Sequence, residues 1–267
     1  MSISTARYAQ PSTGTVNKIA EVTFSFWILK ILATTLGEST GDLIAQTLNL
    51  GYVAGLAITG AALLVILIAQ VRATRYHPLL FWLAIVGTTT AGTEISDMMD
   101  RTLGLGYLWG SVILTAGLLI SLYVWYRREG NLSVDPITRR DAEIIFWIAV
   151  LFSNSLGTAF GDFLVDNLGL GYMAAAALCT AIIAGVMVLH YTRSVNDIAL
   201  FWIAFIFTRP FGATFGDLLT KPVEKGGLDL GTLNASIVCA MAMLAVIFVS
   251  TRQDRVRHGI EANGLAE

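Results

Sequence analysis

Eight apolar runs, separated by short polar breaks, account for most of the chain. Each run contains about twenty residues, which is the length that an α-helix needs to cross a hydrocarbon core of about 30 Å. The pattern therefore predicts an all-α polytopic membrane protein. Its eight transmembrane helices are expected near residues 22–42, 51–71, 79–97, 105–126, 144–162, 170–191, 198–218 and 231–251.

Composition supports the same class. Hydrophobic residues make up 55% of the chain and charged residues 13%, whereas about a quarter of the residues in a soluble domain are charged. The mean hydropathy is +0.68. We therefore expect an integral membrane protein with membrane lipids as partners and no nucleic-acid partner; assembly of several copies into a homo-oligomer stays open.

The lysines and arginines predict the orientation, because cytoplasmic loops carry an excess of them. The opposite side of the predicted topology has three, Arg101, Lys221 and Lys225. The side that holds both termini has twelve: Arg7, Lys18, Arg72, Arg75, Arg127, Arg128, Arg139, Arg140, Arg193, Arg252, Arg255 and Arg257. Both termini are therefore expected in the cytoplasm.

A fixed motif recurs four times. Each Phe-Trp pair is followed, fifteen residues after its Trp, by an aspartate; the four tryptophans are Trp27, Trp82, Trp147 and Trp202, and the aspartates are Asp42, Asp97, Asp162 and Asp217. Constant spacing indicates one structural unit used four times. The units cover about 22–75, 78–127, 143–193 and 197–252, with a cytoplasmic linker at 127–143, within a single membrane domain of residues 1–267.

Each unit contains two predicted spans, so every unit enters the membrane in the same direction. The repeats should therefore be parallel, with pseudo-symmetry about the membrane normal rather than the inverted symmetry of many transporters. Glycine stands ten residues after each Trp, and a polar stripe lies seven, eleven and fifteen residues after it, on one face of the helix. A glycine at the same position of every repeat permits close helix packing, so this face should point toward protein. The stripes are Thr34, Glu38 and Asp42; Thr89, Thr93 and Asp97; Asn154, Thr158 and Asp162; and Arg209, Ala213 and Asp217.

Converging carboxylates predict a cation site. Oxygen ligands without histidine or thiolate favour hard ions such as Mg²⁺, Ca²⁺ or Mn²⁺, or protons. Charges within a membrane pair or line a wet cavity, and we expect Arg209 to pair with Glu38 or Glu94. The predicted substrate- or ion-binding residues are Glu38, Asp42, Glu94, Asp97, Asp162, Arg209 and Asp217, and those assigned to a metal are Glu38, Asp42, Asp97, Asp162 and Asp217. No cofactor is expected.

Two alternatives concern the repeated residues. The aspartates have an equally weighted structural interpretation, in which they accept hydrogen bonds from backbone amides where the chain turns between helices. The tryptophans are interpreted as anchors at the membrane interface, their usual position, in preference to a stacking platform for an organic substrate.

The repeat resembles a bacterial membrane protein family built from four tandem copies of a repeat of unknown function, each with two transmembrane helices and a characteristic Trp. The matching features are the four Phe-Trp pairs, the Gly-x-x-x-Gly-Asp segments and Leu-Gly-Tyr starts such as Leu50-Gly51-Tyr52. The resemblance implies an inner-membrane location and the eight-helix repeat architecture, without an established activity. Ser96 replaces the second glycine in the second unit, and the fourth unit lacks Gly-Tyr, which suggests that the units have specialised.

These features favour a transporter or exporter of a small solute, and among solutes they favour a cation held by carboxylates between the repeats. The alternative is a non-transporting assembly factor or an intramembrane enzyme that acts on a lipid-borne substrate. We expect no enzyme and no catalytic residues, because the sequence has no HExxH or P-loop motif.

Overall fold

The computed structural model describes residues 18–264, except 135, 138 and 194, and of residues 253–264 it describes only the backbone. Arg7 and the side chains of Arg255 and Arg257, which the predicted orientation uses, therefore lie outside the described part. All regular structure within that part is helical. Its eight α-helices are α1 Phe24–Asp42, α2 Gly51–Arg72, α3 Pro78–Asp97, α4 Gly106–Glu129, α5 Arg140–Asp162, α6 Tyr172–Thr192, α7 Asp197–Thr220 and α8 Thr232–Gly264.

Seven of these helices are long and apolar enough to cross a membrane, and α1 is not among them. The difference has a sequence cause, since the 19 residues of α1 include Lys30, Glu38 and Asp42. All three side chains are buried within the protein. The all-α prediction is thus confirmed, and seven of the eight predicted spans meet the requirements of length and composition.

Local signals explain several helix boundaries. The side chain of Thr23 accepts a hydrogen bond from the amide of Phe26 at the start of α1, and that of Asn196 accepts one from Ile198 at the start of α7. Such side chains satisfy amides that have no partner within the helix. Gly130, with a φ of 75°, ends α4 in the left-handed conformation that favours glycine.

A π-helical turn directly follows three of the four repeated aspartates. These turns are Leu43–Thr47, Met98–Thr102 and Phe163–Asn167. In the fourth repeat α7 continues as an α-helix to Thr220 and is followed by a short 3₁₀ helix, Val223–Lys225. The fourth repeat also carries an insertion of five residues between its two helices, since Gly231 follows Trp202 by 29 residues whereas Gly51 follows Trp27 by 24. The change in sequence therefore coincides with a change in the backbone.

The odd-numbered helices contact one another in a closed cycle: α1 with α3, α3 with α5, α5 with α7 and α7 with α1. Each even-numbered helix packs on the first helix of the next repeat rather than mainly on its own: α2 on α3, α4 on α5, α6 on α7 and α8 on α1. The repeats are therefore interlocked.

Burial separates the two sets of helices. In the most apolar windows of α3, α5 and α7, 67%, 67% and 56% of the residues are buried, against 17% to 28% in α2, α4, α6 and α8. The odd-numbered helices thus form the interior, and the even-numbered helices leave most of their apolar side chains on the outer surface. This distribution fits the prediction that the polar stripes face protein.

Glycine permits the close contacts within the cycle. A Cβ atom at Gly37 would lie 2.0 Å from Thr89 Oγ1, and one at Gly212 would lie 2.3 Å from Thr34 Oγ1. The same glycine position in the other two repeats faces the same position of the next helix, Gly92 facing Asn154 and Gly157 facing Arg209. Each glycine therefore accommodates the polar stripe of the following repeat.

Candidate functional site

Aromatic side chains fill one end of the odd-numbered helices. Ring centroids lie 5.5 Å apart for Phe26 and Trp82, 5.7 Å for Phe81 and Trp147, and 5.8 Å for Phe201 and Trp27. Between Phe146 and Trp202 lies Trp125 of α4, at 5.9 and 5.7 Å. We call the four Phe-Trp pairs with Trp125 the aromatic layer.

The anchor interpretation of the tryptophans is wrong for three of the four. Trp82, Trp147 and Trp202 are at most 5% exposed, whereas an interfacial anchor places its ring among lipid headgroups. Each packs against an aromatic neighbour inside the bundle because the Phe-Trp pair repeats at the same height on every odd-numbered helix. Together they fill this end of the interior.

The chain before α1 is tied to the same end. Lys18 Nζ donates to the carbonyl of Val71, 2.9 Å away, and forms an ion pair with Glu143. Gln70 Nε2 donates to the carbonyl of Lys18 and to Glu143 Oε1, both at 3.2 Å. The segment at Lys18 therefore links α2 to α5.

Lys30 is fully buried above the aromatic layer. Its Nζ atom donates to Asn154 Oδ1 at 3.1 Å and lies 3.9 Å from the centre of the Phe205 ring. Asn154 Nδ2 in turn donates to Thr88 Oγ1 at 3.1 Å. Lys30 is thus held by an amide and by the face of an aromatic ring, which attracts cations.

Arg209 pairs with Glu38, one of the two partners predicted for it. Its Nη2 atom lies 2.9 Å from Glu38 Oε2 and 2.6 Å from Thr93 Oγ1. Thr93 also donates to Glu38 Oε2 at 3.1 Å. Arg209 is 0% exposed and Glu38 4%, so this contact between α7 and α1 is a buried ion pair.

The alternative pairing with Glu94 is wrong. Glu94 is fully buried, and neither of its carboxylate oxygens has a hydrogen-bond partner among the described residues. A Cβ atom at Gly55 would lie 2.6 Å from both oxygens, so the carboxylate lies against α2. This orientation arises because Glu94 stands one position beyond the polar stripe and faces the outer helix.

The four aspartates, which we call the acidic layer, lie in two pairs, and each pair has a cation between its members. Lys221 Nζ is 2.6 Å from Asp42 Oδ2 and 3.2 Å from Asp217 Oδ1. The second pair has Arg101, with Nη2 3.0 Å from Asp162 Oδ2 and Nε 3.4 Å from Asp97 Oδ1. We call these sites the 4–1 junction and the 2–3 junction, after the repeats that they join.

The two pairs belong to one electrostatic cluster. All four aspartates are at most 7% exposed. Asp162 and Arg101 of one pair line the same cavity as Asp217 and Lys221 of the other. The structure thus brings together one predicted acid from every repeat, with Glu38 below them.

Arg101 and Lys221 were not predicted as site residues, because they were counted only as charges of the outer loops. Both stand nineteen residues after the Trp of their repeat, four beyond the aspartate. Residues four apart lie on one face of a helix, so this spacing was a usable signal. The other two repeats have Gln46 and Asp166 at this position.

Polar contacts continue around the acidic layer. Gln46 Nε2 donates to Asp42 Oδ1. Arg101 Nη1 donates to the hydroxyl of Tyr52 at 3.1 Å, and the hydroxyl of Tyr107 donates to Asp166 Oδ2 at 2.8 Å. Two of the three Gly-Tyr tyrosines therefore bind position nineteen of the following repeat.

A cavity of about 820 Å³ lies over the acidic layer. Its charged lining residues are Arg101, Asp162, Asp166, Asp217, Lys221 and Lys225, and its other lining includes Gln46, Tyr107 and Tyr172. We call it the vestibule. Burial alone would lower the pKa of Lys221, but Asp217 and Asp42 raise that pKa above its ordinary value, so Lys221 is an ammonium ion at neutral pH.

Helix capping does not explain the aspartates. Asp42, Asp97 and Asp162 make no capping hydrogen bond at the junction of their α-helix with the π-helical turn. Asp217 lies within α7, three residues before its last residue. The carboxylates instead face the cations of the two junctions.

The geometry of the 4–1 junction suits a cation. One carboxylate oxygen from each of Glu38, Asp42 and Asp217 lies within 4.8 Å of the other two. Carboxylate oxygens are the ligands that hard cations such as Mg²⁺, Ca²⁺ and Mn²⁺ prefer. The two other predicted metal ligands, Asp97 and Asp162, lie at the 2–3 junction instead.

No curated protein and no solved structure has significant similarity to the chain. A family model described as a repeat of unknown function, DUF347, matches it four times, at residues 25–76, 80–131, 145–196 and 200–255. These matches cover most of the chain and follow the four Phe-Trp units, which confirms the resemblance seen in the sequence. The chain therefore belongs to the DUF347 repeat family, of which it carries four tandem copies.

Proposed function

We propose that this protein is a membrane transporter or exporter of a small cation, and that the cation binds to the carboxylates at the centre of the four repeats. The observation that carries the proposal is the acidic layer. One aspartate from each repeat is buried there, beside Glu38 and beneath a cavity that is large enough for a hydrated ion. Ionisable groups within membrane helices commonly mark ion pathways.

The proposed architecture has eight spans in four parallel repeats with pseudo-symmetry about the membrane normal. It is supported by the cyclic helix contacts, and by the equivalent glycine contacts in all four repeats. We include α1 as the eighth span because its charged residues Lys30, Glu38 and Asp42 are buried inside the protein. A bacterial inner membrane with both termini in the cytoplasm remains our proposal from the distribution of lysine and arginine.

The two ends of the interior differ in a way that suits transport. The vestibule gives polar access to the acidic layer, whereas the aromatic layer and the Lys18–Glu143 ion pair fill the opposite end. A carrier that exposes its site to one side at a time needs one closed end in each state. We propose that this arrangement is the state with access from the vestibule side, which our proposed orientation would put outside the cell.

Flux measurements in reconstituted vesicles test the proposal. We expect one or more of Mn²⁺, Mg²⁺ and Ca²⁺ to cross the membrane, with or without a proton gradient, only when the protein is present. Asp217→Asn and Glu38→Gln should each reduce the flux at least tenfold, because each removes a ligand charge.

Asp197→Asn is the matched control. Asp197 lies on the same helix as Asp217, but at its opposite end and with a side chain that is 72% exposed, so its flux should equal that of the wild type. Equal flux in all variants would contradict the proposed site. The absence of flux for every cation would favour the non-transporting alternatives.

A further inference from the structure

Lys221 occupies the place of a bound cation. Its ammonium group lies against Asp42 and Asp217, the same two residues that, with Glu38, bring three carboxylate oxygens within 4.8 Å of one another. Asp217 Oδ1 is buried and accepts no hydrogen bond among the described residues, although the ammonium is 3.2 Å away. The ammonium therefore leaves part of the binding capacity of this junction unused.

The equivalent cation at the 2–3 junction has more partners. Arg101 contacts Asp97 and Asp162, donates to the hydroxyl of Tyr52, and has its guanidinium 6.0 Å from the Tyr52 ring centre. A planar guanidinium with several fixed donors is suited to a permanent bridge between two carboxylates.

Lys221 differs in the number of its partners and in the shape of its charged group. It carries a compact charge on a flexible chain, and its side chain contacts the two carboxylates. Like Arg101, it lines the vestibule, where its side chain is 20% exposed. It also stands at the C-terminal cap of α7, where the helix ends and the inserted segment begins. A side chain in this position has both an open space to enter and a flexible stem with which to reach it.

We propose that Asp42, Asp217 and Glu38 form the binding site for a divalent cation, and that Lys221 is a tethered competitor that moves into the vestibule when the cation binds. This inference rests on the proposed transport function and assigns its site to one of the two junctions. A divalent ion satisfies several carboxylates better than one ammonium does, and the return of Lys221 would then help to expel the ion.

Chemical labelling of the wild-type protein tests the movement of Lys221 directly. Purified protein is treated briefly with acetic anhydride, with and without MnCl₂, and the acetylation of Lys221 is measured by mass spectrometry relative to that of Lys225. Lys225 lines the same vestibule and forms no ion pair within the described residues, so it serves as an internal reference. We expect Mn²⁺ to increase the labelling ratio at least threefold; an unchanged ratio at saturating Mn²⁺ would overturn the inference.

Binding measurements give a second, independent test. Free Mn²⁺ is followed by its electron paramagnetic resonance signal in detergent-solubilised protein. Lys221→Met removes the competing charge and should bind Mn²⁺ at least tenfold more tightly than the wild type. The matched change Lys225→Met alters the charge of the vestibule by the same amount and should shift binding less than threefold.

The outcomes separate the inference from the proposed function. If Mn²⁺ binds the wild type and Asp217→Asn weakens it, but Lys221→Met binds no more tightly, the carboxylate site stands and the competitor role is wrong. If Mn²⁺ binds none of the variants and no cation crosses vesicles, both proposals fail. Should Lys221→Met not fold, the labelling ratio of the wild-type protein decides alone.

Discussion

The buried Arg209–Glu38 pair shows how strongly single residues depend on one another inside this bundle. Both side chains are buried, and Thr93 is hydrogen-bonded to both. Removing one member of a buried pair leaves an uncompensated charge, whereas replacing both removes the desolvation cost together with the attraction. The pair therefore makes a clear prediction about stability.

Arg209→Met should destabilise the protein by about 3–5 kcal/mol, the usual cost of leaving a buried charge without its partner. The double variant Glu38→Gln/Arg209→Met should recover most of that loss, since both charges are then gone. The free energies of unfolding of both variants are measured in mixed micelles at increasing concentrations of a denaturing detergent. A double variant as unstable as Arg209→Met alone would show that the ion pair is not the cause.

The position of some charged residues could be predicted from the sequence and that of others could not, while their role as ligands stays a prediction. The acids Glu38, Asp42 and Asp217 were found because repetition and helical spacing put them on one face. Lys221 and Arg101 were missed because a hydropathy pattern does not give the depth of a charged residue that is assigned to a loop. Only the fold shows that each of these side chains contacts an aspartate. Glu94 was placed with the wrong neighbours, since one position along a helix changes the face by about 100°.

At the scale of helices, packing depends on the glycine that faces the polar stripe of the next repeat. At Gly212 of α7 this contact comes closest to the backbone of the neighbouring helix. An added Cβ would lie 2.5 Å from Thr34 Cβ and 2.9 Å from the Thr34 carbonyl carbon. Relief requires α1 and α7 to separate. The same added methyl group at a glycine without neighbours should be harmless.

Gly212→Ala should therefore lower stability by about 1–3 kcal/mol, as overpacking of a close contact does, and should also reduce cation flux by moving Asp217. Gly185→Ala in α6 is the matched control, because nothing lies within 4 Å of its added Cβ. Thermal unfolding in detergent compares the two variants. Equal melting temperatures would show that α7 does not need its close approach to α1.

The helices themselves could be predicted well from sequence, because a run of about twenty apolar residues rarely forms anything other than a transmembrane helix. The predicted runs 51–71 and 198–218 correspond to Gly51–Arg72 and Asp197–Thr220. Two features could not be predicted. The π-helical turns have no periodic signature in the sequence, and an apolar outer face does not encode which neighbouring helix it covers, so the packing of α2 on α3 is known only from the structure.

At the scale of the whole molecule, the closed cycle makes each half depend on the other. The first half ends with α4, which packs on α5, and the second half ends with α8, which packs on α1. Each isolated half would leave one first helix uncovered, and its polar stripe would face lipid. Polar groups in lipid are costly when they lack partners, so neither half should be stable alone.

A chain divided within the linker, after Ser133, should therefore reassemble when both halves are expressed together. We expect a one-to-one complex that co-purifies through an affinity tag on either half, because the α4–α5 and α8–α1 contacts, the Arg101–Asp162 ion pair and the Lys221–Asp42 ion pair all join the two halves. Each half expressed alone should give a much lower yield. The double change Arg101→Met/Lys221→Met should weaken the complex, and Lys225→Met should not. Purification of either half alone as a stable, monodisperse monomer would contradict the interlocked arrangement.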